Sequence, residues 1–383
     1  MSLLLLGPTD DYLHKVMAVA PSVIVLTETN RLTPWQRMAP CEIHLADFDD
    51  LPGLLFRAIA IDASTPLRAV LSFTELGTVP AAIIGRVLDI AAPSLNVSLV
   101  SRNKLLTREA LRRHGLTKVA FFERRTSASD TRLHNEGDGT LVVKPVDGTG
   151  SRDVQRVEPG ATVTLAANRR YIVETWVPGE EFSCETFSIN GVHHLLAVTE
   201  KRLGGVSGLV ELGHLVDPES PGLSENQRDY IDRCLDVIGL TDGPGHLEFK
   251  VDGEAIEIIE CHNRPGGDRI WNLVEIATGF DMITAHARLL LGETMQVTLA
   301  RRGCAAIGYF DFPAGTIQSI HLPENSAEYI HWLEMNLAPG DRIEDMTDSF
   351  HRHGGIIVSA PNRHLLEERL NLEIDHIQVI AAP

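Results

Sequence analysis

Residues 246–251 (His-Leu-Glu-Phe-Lys-Val) run through Asp252-Gly253 into a second largely apolar segment, 255–260 (Ala-Ile-Glu-Ile-Ile-Glu). An Asp-Gly pair between two such runs specifies a tight antiparallel hairpin, and no other feature restricts the chain as much. The hairpin sets Glu248 and Glu260 across the strands from one another on one face. Two carboxylates in an apolar setting repel and resist desolvation unless a positive charge lies between them. Magnesium supplies that charge, and Asn263 adds an oxygen donor of the kind hard cations prefer. Arg264 follows with a planar fork for a phosphate or carboxylate. Taken alone, the segment also fits a plain hairpin with two exposed glutamates and a glycine-rich turn at 265–268.

Composition narrows the class. A chain of 383 residues has room for two or three domains at about 100–200 residues each. Its 34 Lys+Arg against 52 Asp+Glu leave a net charge of −18, the wrong sign for a nucleic-acid or anionic-membrane surface. No apolar run approaches the roughly 18 residues of a membrane span, and Leu3–Leu6 is too short, with no basic flank, for a signal peptide. The five cysteines are odd in number and without paired metal spacing, as expected of reduced thiols in a cytoplasmic protein. Cys184 and Cys261 sit in apolar strands and read as packing residues.

The first hundred residues alternate expected strands (2–6, 22–26, 43–45, 69–73) with expected helices (10–20, 51–60, 79–91), the pattern of βαβ units on a parallel sheet. Gly-x-Gly-x-x-Gly is absent after the first strand, which argues against a dinucleotide site. Glu75 lies just past the fourth strand, at the edge where open α/β sheets place ligands. Residues 101–114 predict one amphipathic helix with Ser101 as its cap and Gly115 at its end. Residues 117–173 hold short strands and turns and suggest a lid. Strands follow at 182–189, 192–199, 246–251 and 255–260, with helices at 224–237, 271–291 and 363–370.

Two further segments carry chemistry. In 141–152, Lys144 ends an apolar strand, where it needs an anionic partner. The loop after it holds Gly148, Thr149, Gly150 and Ser151, whose backbone N–H groups can close over phosphates as the glycine loops of kinases do. In 171–182 an apolar strand runs into Pro178-Gly179, a hinge whose extended backbone can read an adenine edge while a carboxylate takes ribose hydroxyls. Separately, each also fits an ordinary turn or linker. His193-His194 and the pair His351 and His353 lack further ligands at metal spacing and read as structural or surface residues.

In this order the pieces resemble the ATP-grasp superfamily. The likeness implies an α/β (α+β) chain: a Rossmann-like preATP-grasp domain at 1–98, a linking helix and lid at 99–178, and a mixed C-terminal domain at 179–383 with a terminal subdomain from about 301. It implies that Lys104, in Ser-Arg-Asn-Lys-Leu-Leu, is the first nucleotide lysine and Lys144 the second. Residues 147–152 match the mobile phosphate loop. Glu174, Thr175 and Val177 fall in the adenine hinge, and Glu181 in the ribose position. Glu248, Glu260 and Asn263 match the magnesium ligands. Within the superfamily the chain is most similar to carboxylate–amine ligases of the L-amino acid ligase type, which include dipeptide-forming antibiotic enzymes. Glu211-Leu-Gly-His214, the run from Glu260 to Asp268 and the C-terminal Pro339-Gly340-Asp341 and 353–358 carry that likeness. His262 is less usual in the core of that run and receives no metal role.

The resemblance implies ATP and Mg2+ as cofactors, with two ions and Mn2+ as a substitute, and small-molecule carboxylate and amine substrates on a monomer or homodimer. A carboxylate would attack the γ-phosphoryl group, and an amine would displace phosphate from the acyl phosphate. Arg264, Lys144 and Glu260 are the expected catalytic residues. Glu75, Glu211, His214, Arg264, Gly266 and Gly267 are expected at the substrate. Alternatives are an ATP-grasp ligase using bicarbonate or a ribosylamine, one that aminoacylates a carrier protein, and a nucleotide-binding regulatory protein without activity.

Overall fold

The computed structural model describes residues 2–204, 210–219, 222–322, 327–343, 346 and 349–382. Its first layer is a four-stranded parallel sheet in the order Glu42–Leu45, Val23–Thr27, Ser2–Leu6, Leu67–Leu71. The leucine run at 3–6 is buried throughout because the two faces of its strand feed different cores. Leu4 and Leu6 pack with Leu54, Ala58 and Ile84 from helices Leu51–Ser64 and Thr78–Leu88. Leu3 and Leu5 join Trp271, Leu273, Met282 and Ile283 from the far part of the chain. A strand covered on both faces reads as a continuous apolar run, and this one docks the N-terminal layer onto the rest.

The lid is a small antiparallel sheet in the order Phe121–Arg125, Arg170–Thr175, Leu141–Pro145, Gln155–Val157. It encloses its own core around Val143, Val157, Tyr171 and Val173. Below it runs an eight-stranded antiparallel sheet: Ala255–His262, Gly243–Asp252, Glu180–Ile189, Val192–Gly204, Val210–Val216, Cys304–Tyr309, Gly354–Ala360, Ile330–Met335. Strands beyond residue 301 thus continue the sheet that holds the Asp252-Gly253 hairpin. A three-stranded sheet, Arg342–Ile343, Gly315–His321, Gln378–Ala382, closes the C-terminal end.

Helix Glu225–Ile238 opens with a capping box between Ser224 and Gln227. It covers one face of the large sheet, where Ile231, Cys234 and Leu235 meet Cys184, Leu247 and Phe249. Strand alternation then turns Glu248 and Lys250 to the opposite face, under the lid. Cys184 and Cys261 are buried, and all five cysteines are free thiols. Among the described residues no helix is long and apolar enough to cross a membrane.

Two expected helices are each broken in two. In place of one helix over 101–114 capped by Ser101, the chain forms Leu95–Arg102 and Lys104–Arg113. Asn103 between them leaves helical geometry, and its side chain accepts from the N–H groups of Leu105 and Leu106 at 3.1 and 3.2 Å. An Asn side chain competes for backbone donors in this way, a signal that apolar periodicity does not carry. The break puts Lys104 on a first helical turn, facing the lid. Likewise 271–291 divides into Ile270–Thr278 and Met282–Leu290, where Gly279 at φ 75° ends the first and Asp281 caps the second. The last helix, Arg363–His376, continues past Leu370.

Replacing Asn103 with Ala is expected to lower stability by about 1 kcal/mol in urea denaturation. Asn103→Asp, which can still cap, should recover most of it.

Candidate active site

The lid, the linking helix Lys104–Arg113 and the hairpin enclose a single cleft lined by Glu75, Lys104, Lys144, Gly148, Thr149, Gly150, Ser151, Glu174, Thr175, Val177, Glu181, Glu211, Glu248, Glu260 and Arg264. These residues span nearly two hundred positions of sequence, and the fold brings them to one place. His214, Asn263, Gly266 and Gly267 are not on its wall.

At the lid side, Lys144 is almost fully buried on the strand Leu141–Pro145. Its Nζ lies 3.1 Å from Glu174, and Arg108 Nε donates to the other Glu174 oxygen at 2.7 Å. Arg108 also donates to the Ile258 carbonyl at 2.8 Å and pairs with Glu257 at 3.2 Å, so one guanidinium ties the lid to the hairpin. Burial works against ionisation of Glu174, but Lys144 and Arg108 outweigh it and hold the carboxyl below its usual range. That carboxylate is committed to internal pairs. The loop 147–152 is held from the junction of the two helices: Lys104, the first residue of the second, donates from its backbone to Val146 O at 3.1 Å and from Nζ to Gly148 O at 2.8 Å. Arg102 donates to Asp147 O at 2.6 Å.

At the floor, Glu248 and Glu260 are register partners. A bulge at Ile259 lets Ile259 and Glu260 both reach the cleft wall. Lys104 lies 3.3 Å from Glu260, and Lys201, which is 1% exposed, lies 2.8 Å from Glu248, 2.8 Å from Glu211 and 3.3 Å from Glu181. His246 is bonded through Nδ1 to Glu185 and approaches Glu248 at 3.3 Å through Nε2. Burial opposes its charge, but Glu185 and Glu248 win and push its pKa up to about 9. Burial alone would raise the Glu248 carboxyl, yet Lys201 and His246 hold it well below the ordinary range. Glu260 is lowered in the same way, with Lys104 and His262 opposing burial.

Arg264 is clamped by a short contact with Glu75 and donates to Pro265 O at 2.9 Å. Burial pushes the Glu75 carboxyl up, and Arg264, His262 and Arg102 more than offset it, leaving it at about 2 against an ordinary 4.5. Gly266 N–H donates to Glu185 at 2.9 Å, and a Cβ at Gly266 would meet that carboxylate at 2.8 Å and the His246 ring at 3.0 Å. Gly266 therefore lets the Glu185–His246 pair close behind the cleft, and Gly267 precedes the helix Ile270–Thr278 in open space. Neither glycine is on the cleft wall.

Beyond the cleft, Glu211 connects through Lys201 to a second cluster. Arg352 pairs with Asp268 at 2.8 Å and approaches Glu211 at 3.4 Å, while its guanidinium stacks 3.9 Å from the Tyr309 ring. His214, expected at the substrate, is buried and turns to Asp268 at 3.4 Å. Glu211, His214 and Asp268 are close enough together to hold an ion, but Arg352 already supplies the positive charge there. Burial raises the Glu211 carboxyl, with Lys201 lowering it and Asp268 raising it further. Asn263, expected as a metal ligand, donates its amide to Ser98 Oγ at 2.9 Å on the other side of the hairpin.

Sequence reading missed Arg108, Glu185, Lys201, His246, Asp268 and Arg352. Lys201, in the run Thr-Glu-Lys-Arg, had a usable signal as a lysine continuing an apolar strand. The remaining donor set suits a hard divalent cation, because two ionised carboxylates share one rung with room toward the phosphate loop.

Residues 161–272 match the model of the ATP-grasp domain. The chain is 23% identical over 388 residues to an uncharacterized protein, y4rH, of Sinorhizobium fredii, covering 97% of this chain and 80% of that one. It is 23% identical to the L-arginine-specific L-amino acid ligase of Bacillus subtilis over 341 residues, 81% of each chain. The crystal structure of an L-amino acid ligase from Bacillus licheniformis superposes with a TM-score of 0.80 at 19% identity, over 100% of this chain and 99% of that one. The chain therefore carries an ATP-grasp domain within an ATP-grasp fold that extends over its whole length. In the comparisons of both sequence and structure it is similar to L-amino acid ligases.

A carboxyl with a depressed pKa stabilises the fold fully above its unfolded value, and that stability is lost as pH falls through the folded one. For Glu75 the window runs from about 4.5 down to about 2. Glu75→Gln is expected to make the decline of urea stability between pH 5 and 3 shallower by up to one proton per molecule. An unchanged slope means that Arg264 does not hold Glu75 ionised.

Proposed function

We propose that this protein is an ADP-forming, ATP-dependent ligase that joins a carboxylate to an amine, with amino acids as its substrates. The observation that supports this most is the meeting, in one cleft, of a glycine-rich loop, two lysines, a carboxylate pair and a clamped arginine. Fold likeness alone carries no chemistry; this set does, because carboxylate and triphosphate are both anions that must be brought together.

Lys144, oriented by Glu174, meets the phosphates from the lid, and Lys104 meets them from the helix start. Both move from carboxylate or carbonyl partners to phosphate oxygens when nucleotide is present. The hinge backbone of 174–177 receives the adenine and Glu181 the ribose. Glu248 and Glu260 would hold magnesium, which would supply positive charge to the terminal phosphates. Arg264, kept in place by Glu75, faces the phosphoryl group in transfer. A substrate carboxylate oxygen bonds to the γ-phosphorus as the bond to ADP breaks. The amine nitrogen then bonds to the acyl carbon and phosphate leaves. The closed lid excludes water from the acyl phosphate. Glu211 on the cleft wall, with Lys201, Arg352 and Asp268 paired behind it, supplies charges of both signs on that side of the cleft, as a zwitterionic substrate requires. Dipeptide or specialised-metabolite synthesis is the corresponding role.

The test is a screen of amino acid pairs for ADP release, with products identified by mass spectrometry. ADP release with amino acids and a dipeptide-type product is the expected result. Release only with bicarbonate or a ribosylamine, transfer to a carrier protein, or no release with any pair overturns the reading. Lys144→Met and Glu260→Gln are each expected to lower turnover at least about a hundredfold while circular dichroism is unchanged. Near-normal amide synthesis by either variant defeats the assignment.

A further inference from the structure

Strand parity decides what stands beside the carboxylate pair. Beyond the bulge at Ile259, Glu260 pairs with Glu248 and His262 pairs with His246. The cleft face of the hairpin therefore shows two carboxylates on one rung and two imidazoles on the next. Asn263 belongs to the opposite face, where its amide is used by Ser98.

The two imidazoles are not equivalent. His246 is fixed between Glu185 and Glu248 and does not line the cleft. His262 lines the cleft, with Nε2 3.1 Å from Glu260 Oε2 and Nδ1 3.6 Å from Glu75. Its ring stacks on that of His246 at 5.8 Å and 23°, which fixes its plane. A nitrogen donor thus sits within hydrogen-bond distance of a carboxylate oxygen read as a metal ligand, and its second nitrogen faces the carboxylate of Glu75. A carboxylate behind the imidazole is the usual setting of a ligating histidine; here Glu75 stands 3.6 Å off, its oxygen shared with Arg264, and the stacking on His246 sets the ring plane.

We propose that His262, through Nε2, is a protein ligand of the divalent ion held by Glu248 and Glu260, and that this nitrogen moves the site's preference from magnesium toward manganese and other first-row ions. The proposal rests on the ATP-dependent reading above. Magnesium favours oxygen donors at near-ideal octahedral geometry, whereas imidazole suits transition ions, whose affinity for nitrogen rises along the first row. A histidine nitrogen in place of the oxygen donor expected from Asn263 therefore changes which ion the nucleotide brings with it.

The test uses the full chain labelled with 15N-histidine, loaded with Mn2+ and ADP and studied by pulsed electron paramagnetic resonance. A directly coordinated 15N coupling is expected, and it should vanish in His262→Asn. Titration calorimetry in the presence of ADP should show Mn2+ affinity falling at least about tenfold in that variant, the scale on which even outer groups of a metal site act, with Mg2+ affinity changed less than about twofold. The unsubstituted protein's spectrum is informative even if the variant fails to fold. Mn2+ binding without histidine coupling, or coupling that survives in His262→Asn and is lost in His246→Gln, overturns the ligand assignment and leaves the ligase reading standing. Failure of Mn2+ and Mg2+ to bind with or without ADP overturns both.

Discussion

Glu248 and Glu260 face each other across adjacent strands, 21% and 20% exposed to the cleft, and the surrounding charges are arranged to keep both ionised. Burial alone would protonate at least one of the pair. Lys201 and His246 offset it on one side, Lys104 and His262 on the other. The carboxylates are therefore charged and near saturation with cations before any ligand arrives. Under the proposed function, a triphosphate with its metal would not enter a negative hole; it would exchange partners with ammonium groups already in position. Preorganisation of this kind is what lets electrostatic stabilisation act without reorganisation during transfer.

The convergence of Lys104, Lys144, the loop 148–151, Glu248 and Glu260 on one cleft was legible in the sequence because its pieces are local. An Asp-Gly turn fixes the hairpin register, and with it the opposition of the two glutamates. A lysine at a strand end followed by glycines and hydroxyls describes the loop at 148–151. Asn263 was the exception: its amide suits a hard cation, but strand parity turns it to the far face of the hairpin and puts His262 on the glutamates' face. Asn103 was missed for another reason: a side chain that takes two backbone donors ends a helix without disturbing the apolar spacing around it.

The part beyond the metal was much less legible. Lys201, Glu211, Asp268 and Arg352 come from two strands, a turn and a segment near the C-terminus, and they meet only because the large sheet extends past residue 301. Their pairing depends on cross-sheet neighbours, which no window of sequence reports. His214 and Gly266 illustrate the same limit. Both lie near the site, but one is turned to Asp268 and the other is small so that Glu185 and His246 can meet. The proposed substrate side of the cleft lies in this non-local region, which a shared fold does not specify.

The linking helix grips the lid at two places of unequal strength. Midway along it, the Arg108 guanidinium is sealed between Glu174 and Glu257 and is itself 2% exposed. At its start, Lys104 and the preceding Arg102 reach loop carbonyls with side chains 14% and 20% exposed. Only the second set can be undone cheaply. The first is a pin and the second a latch: the base of the lid is locked to the hairpin, while its loop edge is tied only through two backbone carbonyls, so the lid is fastened unevenly along its length.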